Sequence, residues 1–282
     1  EVAPIAGNDV QLTIDIKIQD SVERHLLEAI EIARDTGRDS TGGACIVMNP
    51  KNGEVLAMAS YPTYDPTAFI GGIGAETWES LTAEDANNPL TNRVIAGLYP
   101  AASTIKAFST ISALEYGIAK PDTSYMCAGK WTGFGAQWFK WCWLHTGHGG
   151  QNLRTGIVNS CDSVFYSIAK DFWNSNVPEG LQASFRDWRL GSLTGIDLPG
   201  EKAGRIPDAE WKYNYFENAP EQDRKWQAGD TTNIVIGQGD VLVTPLQMAN
   251  SYCALNNRRQ VLKPRVMLKV LSQDNKTALI ES

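Results

Sequence analysis

Ser103 and Lys106 stand three residues apart where an apolar, helix-periodic run begins. On a helix that spacing puts a hydroxyl and an amine on one face, as a serine nucleophile with a lysine base requires. The lysine can take the serine proton only where burial or nearby positive potential destabilises its ammonium. A helix start also favours the alkoxide through the macrodipole. The pattern recurs at Ser167-Ile-Ala-Lys170, and context separates the two copies. Ser167 lies mid-helix with regular periodicity on both sides, as an ordinary helical serine. Ser103 follows Pro100 and two alanines at a loop-to-helix junction, where a side chain can face a cleft and backbone N–H groups stay free. Ser103 is therefore the candidate nucleophile. Ser160 and Asp162, taken alone, read as a helix N-cap pair.

A second constellation is metal-like. Cys127, Cys142, His148 and Cys161 fall in one region rich in aromatic residues, among them Trp131, Trp138, Phe139, Trp141 and Trp143. Three thiols and an imidazole match a tetrahedral structural zinc site, although the spacings are not those of a zinc finger. A Cys127–Cys142 disulfide stands level with metal on the residues alone, since a loop-closing bridge suits an exported protein. His145 rivals His148 as a ligand. Cys45 and Cys253 sit inside apolar elements as spectator thiols. The tryptophans read as packing around this loop rather than a carbohydrate platform. Gly237-Gln-Gly239 lacks the third glycine of a dinucleotide fingerprint and reads as a turn.

Around these candidates the chain alternates helix and strand signals. Residues 10–18 alternate as a strand. Asp20 and Glu23 then stand at capping-box spacing before a helix bearing Val22, Leu26, Leu27, Ile30 and Ala33, which Gly37 ends. Runs at 44–48 and 54–59 flank Asn49-Pro-Lys-Asn-Gly53, which is hairpin-turn chemistry. Residues 61–92, rich in Pro, Asp, Asn and Gly, form a long ordered loop with short helices, expected to border a functional cleft. Ile105, Phe108, Ile111 and Leu114 share one face of a central helix that Gly117 ends. Further helices are expected over 162–173 and from Pro245, capped by Thr244, through Ala254. A turn is expected over 195–201, a strand over 231–236, and more sheet over 261–271.

The 282 residues are 43% hydrophobic and 20% charged, with 25 Lys+Arg against 32 Asp+Glu and a net charge of −7. That balance is globular and argues against nonspecific nucleic-acid binding, which needs a positive face. No run reaches the roughly 18 apolar residues of a membrane-spanning helix. Five cysteines are too few for a disulfide scaffold of this size. No internal repeat or linker interrupts the chain, so a single mixed domain over residues 1–282 is expected.

Several stretches extend the Ser-x-x-Lys pattern, itself a signature of penicillin-binding proteins. Val10-Gln-Leu-Thr-Ile-Asp15, Asn49-Pro-Lys-Asn-Gly-Glu-Val-Leu-Ala-Met58 and Tyr61-Pro62 with Asp65-Pro66 come first. Thr194-Gly-Ile-Asp-Leu-Pro-Gly200 follows, then Gly237-Gln-Gly239 with Val243-Thr-Pro-Leu-Gln247. In this order they resemble the transpeptidase domain of class B penicillin-binding proteins across nearly the whole chain. Ser160-Cys161-Asp162 is most similar to the elongation-type penicillin-binding protein 2 family, where Asp can stand in place of the usual Asn of Ser-x-Asn. The resemblance implies an α+β, β-lactamase/transpeptidase-like fold, with an antiparallel central sheet flanked by helices and an all-helical subdomain.

It also implies a chemistry. A serine D,D-transpeptidase cross-links peptidoglycan stem peptides through an acyl-enzyme and is a target of β-lactams. Ser103 would be the nucleophile, Lys106 the base and Ser160 the proton relay to the leaving amine, while Asp162 would orient Lys106 or bond the substrate amide. Catalysis would need no cofactor. Relatives that hold zinc with two Asp, one His and one Cys match Cys127, Cys142, His148 and Cys161, and the change to thiols makes the set softer, which suits zinc. The implied setting is the extracytoplasmic face of the cell membrane, beside a membrane-bound wall-synthesis glycosyltransferase, during cell-wall elongation. A D,D-carboxypeptidase, a β-lactamase-like hydrolase and a noncatalytic, zinc-stabilised β-lactam sensor are the competing readings. The family's third motif, Lys-Thr-Gly or Lys-Ser-Gly, is expected after Val243-Thr-Pro-Leu-Gln247. Arg154-Thr155-Gly156 comes too early and Lys276-Thr277 is followed by Ala278. The chain, which begins at Glu1 with neither Met nor a signal pattern, is accordingly expected to be a piece that lacks the N-terminal anchor and pedestal and stops before that motif.

Overall fold

A computed structural model describes residues 7–273 and 277–281. Lys276 thus lies outside the described residues. In chain order the elements begin with β1 (Asp9–Leu12), α1 (Ile16–Asp35), β2 (Gly43–Met48), β3 (Val55–Tyr61), α2 (Ala75–Thr82), α3 (Arg93–Ala96) and α4 (Lys106–Glu115). Four short strands follow, β4 (Tyr125–Cys127), β5 (Lys130–Trp131), β6 (Lys140–Trp141) and β7 (Gly149–Gln151). Next come α5 (Leu153–Val158), α6 (Asp162–Asn174), α7 (Gly180–Asp187), α8 (Ala209–Tyr215), α9 (Glu221–Arg224), α10 (Ala228–Ile234), α11 (Pro245–Asn256), β8 (Met267–Leu271) and β9 (Ala278–Glu281).

Two expectations fail for local reasons. The first strand stops at Leu12, because Asp15 rather than Asp20 caps α1, accepting the N–H groups of Lys17 and Ile18 at 2.9 and 3.2 Å. In the run at 231–236, expected as a strand, residues 231–234 end helix α10 and Val235 and Ile236 enter the turn after it. The carboxylate of Asp230 accepts the Gln227 N–H at 2.7 Å, and this first-turn bond, with packing of α10 on α6, overrides β propensity. Leu114, expected on the buried face of the central helix, is exposed, and the sheet expected over 261–271 begins at Met267, while other signals hold. The 44–59 region is an antiparallel hairpin, Thr244 caps α11 ahead of Pro245, and 61–92 carries only short helices.

The described residues divide into two compact units. One comprises Glu1–Leu98, Leu193–Ala203 and Thr244–Ser282. It holds the β1-β8-β9 antiparallel sheet and the β2–β3 hairpin, around a core of Val55, Val94, Ile95, Ile196, Leu246 and Val266. The Thr194–Gly200 turn serves that core, since the Asp197 carboxylate accepts the N–H groups of Val266 and Met267, both at 2.7 Å.

The second unit comprises Tyr99–Ser192 and Gly204–Val243. It is built on α4, which packs on α7, and on α6. Phe108, Phe165, Ile168, Phe172, Leu181, Phe185 and Leu190 are fully buried in it, each contributing about 1.5–3 kcal/mol of hydrophobic burial. It is helical except where the sequence loses periodicity. There β4 pairs with β7 and β5 with β6 as two short ribbons. All the candidate site residues belong to this unit.

Candidate active site

Ser103 lies in a 3₁₀ turn, Ala102–Ile105, that runs into α4 at Lys106. The residue before it, Ala102, is left-handed (φ 49°), a conformation that costs an L-residue about 1–2 kcal/mol. The turn is held because the Ala102 N–H donates to the Gly237 carbonyl at 2.8 Å. Gly237 has no alternative there, since its φ is +69° and a Cβ would lie 2.5 Å from the Ala102 oxygen. The Gly237-Gln-Gly239 turn is thus the seat of the Ser103 turn.

Lys106 is 2% exposed, and its Nζ reaches three acceptors, Ser160 O and Ser160 Oγ at 3.0 Å each and Asp162 Oδ1 at 2.6 Å. An ammonium has three N–H donors, so all are used. The aromatic face of Phe165, 5.2 Å from Nζ to the ring centroid, covers the cation further. Ser160 Oγ donates onward to Ser103 Oγ at 3.0 Å. An unbroken chain therefore links Asp162, Lys106, Ser160 and the exposed Ser103.

The plain N-cap reading of Ser160 and Asp162 does not hold. The N-cap of α6 is Cys161, which makes no side-chain cap bond, and both neighbours turn their side chains to Lys106. Ser160 achieves this with φ 47°, a second left-handed residue at the site, in keeping with strain held at functional positions. Asp162 uses both oxygens, Oδ1 on Lys106 and Oδ2 on the backbone N–H of Trp143 at 3.0 Å.

The second Ser-x-x-Lys copy is structural. Ser167 Oγ donates to the Ser163 carbonyl one turn back at 2.9 Å and accepts the Trp131 indole N–H at 3.0 Å. Thr155, within Arg154-Thr155-Gly156, caps α5 reciprocally with Asn152.

Beside the relay, four donor atoms converge. The three sulfurs of Cys127, Cys142 and Cys161 and a nitrogen of His148 all lie within 4.8 Å of one another. Cys127 closes β4, Cys142 follows β6, His148 precedes β7 and Cys161 caps α6, so the two ribbons and one helix start gather the set. The loop folds back so tightly that a Cβ on Gly129 would lie 1.8 Å from the His145 oxygen. His145 itself packs at a tilt against Trp141, with ring centroids 4.8 Å apart and planes at 33°, outside the cluster.

Two separations in the set match those of a tetrahedral zinc site. His148 Nδ1 lies 3.6 Å from the sulfurs of both Cys127 and Cys142. Tetrahedral bonds of about 2.3 Å to sulfur and 2.0–2.1 Å to nitrogen require a separation of about 3.6 Å. All five cysteines are free, so Cys127 and Cys142 are not bridged. Burial pushes the Cys127 thiol up, but the polar groups around it, those of Ser163, His148 and Gly129, outweigh it and hold the group at about 6. Burial carries Cys161 the other way, to about 12, with the neighbouring cysteines adding to it. Cys127 and Cys161 thus sit close together in unequal electrostatic surroundings, and a bound cation would favour thiolate ligands.

Sequence patterns pointed to Ser103, Lys106 and the four soft donors, and the fold brings each set together. They gave no sign of Phe165 over the lysine or of the Trp143 backbone at Asp162. A backbone N–H carries no residue signature, and Trp143 stood out only as one aromatic among several.

Comparison with known proteins agrees with this geometry. Residues 43–279 match the penicillin-binding protein transpeptidase domain. The peptidoglycan D,D-transpeptidase MrdA of Salmonella typhimurium is 36% identical over 268 residues, covering 95% of this chain and 39% of the relative. The chain thus spans about two fifths of the length of that curated relative. Among solved structures, a complex between penicillin-binding protein PBP2 and MreC from Helicobacter pylori superposes with TM-score 0.78 at 30% identity, covering 95% of this chain and 45% of that one. A peptidoglycan synthase complex, solved for its coordination of polymerization and crosslinking, gives 0.79 at 28% identity, covering 98% and 46%.

Proposed function

This chain belongs to the penicillin-binding protein transpeptidase family, and we propose that it carries the acylation machinery of a serine D,D-transpeptidase that cross-links peptidoglycan stem peptides during cell-wall elongation. The observation that carries the reading is the hydrogen-bond chain from Asp162 through Lys106 and Ser160 to Ser103.

The resting ammonium spends its three protons on Ser160 O, Ser160 Oγ and Asp162 Oδ1. As the free amine, Lys106 keeps two N–H groups, enough for Ser160 O and Asp162, and turns its lone pair toward Ser160 Oγ. Ser160 can then pass its proton to Lys106 while taking the proton of Ser103. The Ser103 oxygen attacks the carbonyl carbon of the penultimate D-Ala. The C–N bond breaks, Ser160 returns a proton to the departing amine of terminal D-Ala, and the stem is left as an ester on Ser103. An amine of a neighbouring stem attacks that ester in the reverse sense, forming the cross-link and restoring the serine hydroxyl. A β-lactam ring, which is a strained amide, acylates Ser103 by the same first half. The sequence holds no Lys-Thr-Gly or Lys-Ser-Gly after Gly237, so the contacts that motif supplies to a substrate carboxylate and to the oxyanion are assigned to no residue of this chain.

Cys127, Cys142, His148 and Cys161 would hold a structural zinc ion, which would tie these loops together and take part in no catalytic step. Its place is set by adjacency: Cys161 lies between Ser160 and Asp162, and Cys142 precedes the N–H that Asp162 accepts. We expect about one zinc per chain by elemental analysis, lost in Cys142→Ser. A metal-free wild type carrying a Cys127–Cys142 disulfide would refute it.

No helix among the described residues is long and apolar enough to cross a membrane. We place the activity at the extracytoplasmic face of the cell membrane, beside a membrane-bound glycosyltransferase, in keeping with the relative found in a synthase complex. The test is incubation of the protein with a stem pentapeptide ending in D-Ala-D-Ala and an amine acceptor, read by mass. The expected result is a new amide with one D-Ala released per bond, both abolished in Ser103→Ala. Hydrolysed tetrapeptide alone would favour the carboxypeptidase reading, and no D-Ala release would contradict both.

A further inference from the structure

Trp143 has a large apolar side chain that is 62% exposed, an arrangement that burial does not reward. Its hydrogen bonds give it a different purpose. The backbone N–H donates to Asp162 Oδ2 and the indole N–H to the Asn159 carbonyl, both at 3.0 Å. Trp143 therefore grips the second motif immediately before and two residues after Ser160. Its ring makes a T-shaped contact with that of His148, with centroids 5.3 Å apart and planes at 64°. Asn159 is fixed from the other side as well. Its side-chain amide donates to Gln151 Oε1 at 2.9 Å, and the buried Gln151 donates to the His148 carbonyl at 3.0 Å.

Ser160 needs such a grip. Its left-handed φ of 47° is unfavourable for serine, so a freed Asn159–Ser160 peptide would relax toward ordinary backbone. That relaxation would move the two Ser160 oxygens that lie 3.0 Å from Lys106 Nζ, and with them the Oγ that lies 3.0 Å from Ser103. We propose that Trp143 is a positioning residue for acylation, an external strut that holds the Ser160 turn in relay geometry from the loop bearing Cys142 and His148. This rests on the acyl-enzyme reading, because only a relay through Ser160 makes the turn's geometry matter to rate.

The experiment is stopped-flow acylation by a fluorescent penicillin, separating the reversible dissociation constant from the acylation rate constant. Three proteins are compared with wild type: Trp143→Phe, Trp143→β-(3-benzothienyl)alanine, and Trp138→Phe as a control at another exposed tryptophan of the same region. The benzothienyl side chain has the shape of indole with sulfur in place of N–H, so it removes one donor and little else. The expected result is an acylation rate constant lower by about three- to tenfold, the range for one net hydrogen bond, in both Trp143 variants. The dissociation constant, the melting temperature and the zinc content of the benzothienyl protein should stay at wild-type values, and Trp138→Phe should acylate normally. An unchanged rate constant in the benzothienyl protein overturns the inference, as does an equal fall in Trp138→Phe. Should Trp143→Phe fail to fold, the benzothienyl protein alone decides. Failure of the wild type to acylate at Ser103 would strike the functional reading itself, which separates the two failures.

Discussion

The two Ser-x-x-Lys copies of this chain lie in the same unit, and each lysine has an aspartate for company, Lys106 with Asp162 at 2.6 Å and Lys170 with Asp171 as its sequence neighbour. Their chemistry diverges because of the backbone in front of the serine. Ser167 sits inside α6, and its hydroxyl is spent on the carbonyl one turn back and on the Trp131 indole. Ser103 stands on a turn entered through the left-handed Ala102, with its hydroxyl exposed and met by Ser160. Lys106 is wholly buried and directed by three acceptors toward that relay. Spacing therefore supplies the pair, while a strained loop-to-helix entry and a second motif arriving from elsewhere in the chain turn it into a nucleophile and a base.

The contrast can be broken most severely at the lysines. Lys106→Met should slow acylation by a fluorescent penicillin about 10³-fold, the scale of a lost general base, whereas Lys170→Met should leave the rate within about twofold, an ordinary surface effect. Equal effects would erase the distinction. Next in size is the aspartate. Asp162→Ala removes one partner of a buried pair and should cost about 3 kcal/mol of unfolding free energy by denaturant titration, together with most of the acylation rate; Asp171→Ala should do neither. The smallest effect concerns the entry turn. Gly237→Ala places a Cβ against the Ala102 backbone at a positive φ and should destabilise by about 2 kcal/mol. Gly117→Ala, at φ +67° but with nothing within 4 Å, should cost about half as much and leave acylation alone. If Gly237→Ala melts and acylates as the wild type does, the turn is not seated on that glycine.

Much of this architecture could be read from residue order because its determinants are local. Asn49-Pro-Lys-Asn-Gly53 announces the hairpin at 44–59, and Thr244-Pro245 announces α11, through turn and cap chemistry contained in a few neighbouring residues. Thr231, Thr232, Ile234 and Val235 mislead because their β propensity is weaker than the Asp230 cap and the packing on α6. The relay was half visible. Ser103 and Lys106 share a helix start, but Ser160 and Asp162 carry an N-cap signature that the fold sets aside by giving the cap to Cys161. The family resemblance implies their partnership with Lys106, and the contacts that make it span 54 residues to Ser160 and 56 to Asp162. The cysteines show the same limit, since composition left metal and disulfide level. The convergence of the four donor atoms depends on β4, β6, β7 and the start of α6 folding together.

The most direct test of the relay is peptide mapping after acylation with a penicillin, with Ser103 and Ser167 as internal competitors. The expected result is one acyl ester per chain, on the peptide containing Ser103, with none on that containing Ser167. A stoichiometric adduct on Ser167, or no ester on Ser103 in protein whose fold is intact by circular dichroism, would contradict the assignment.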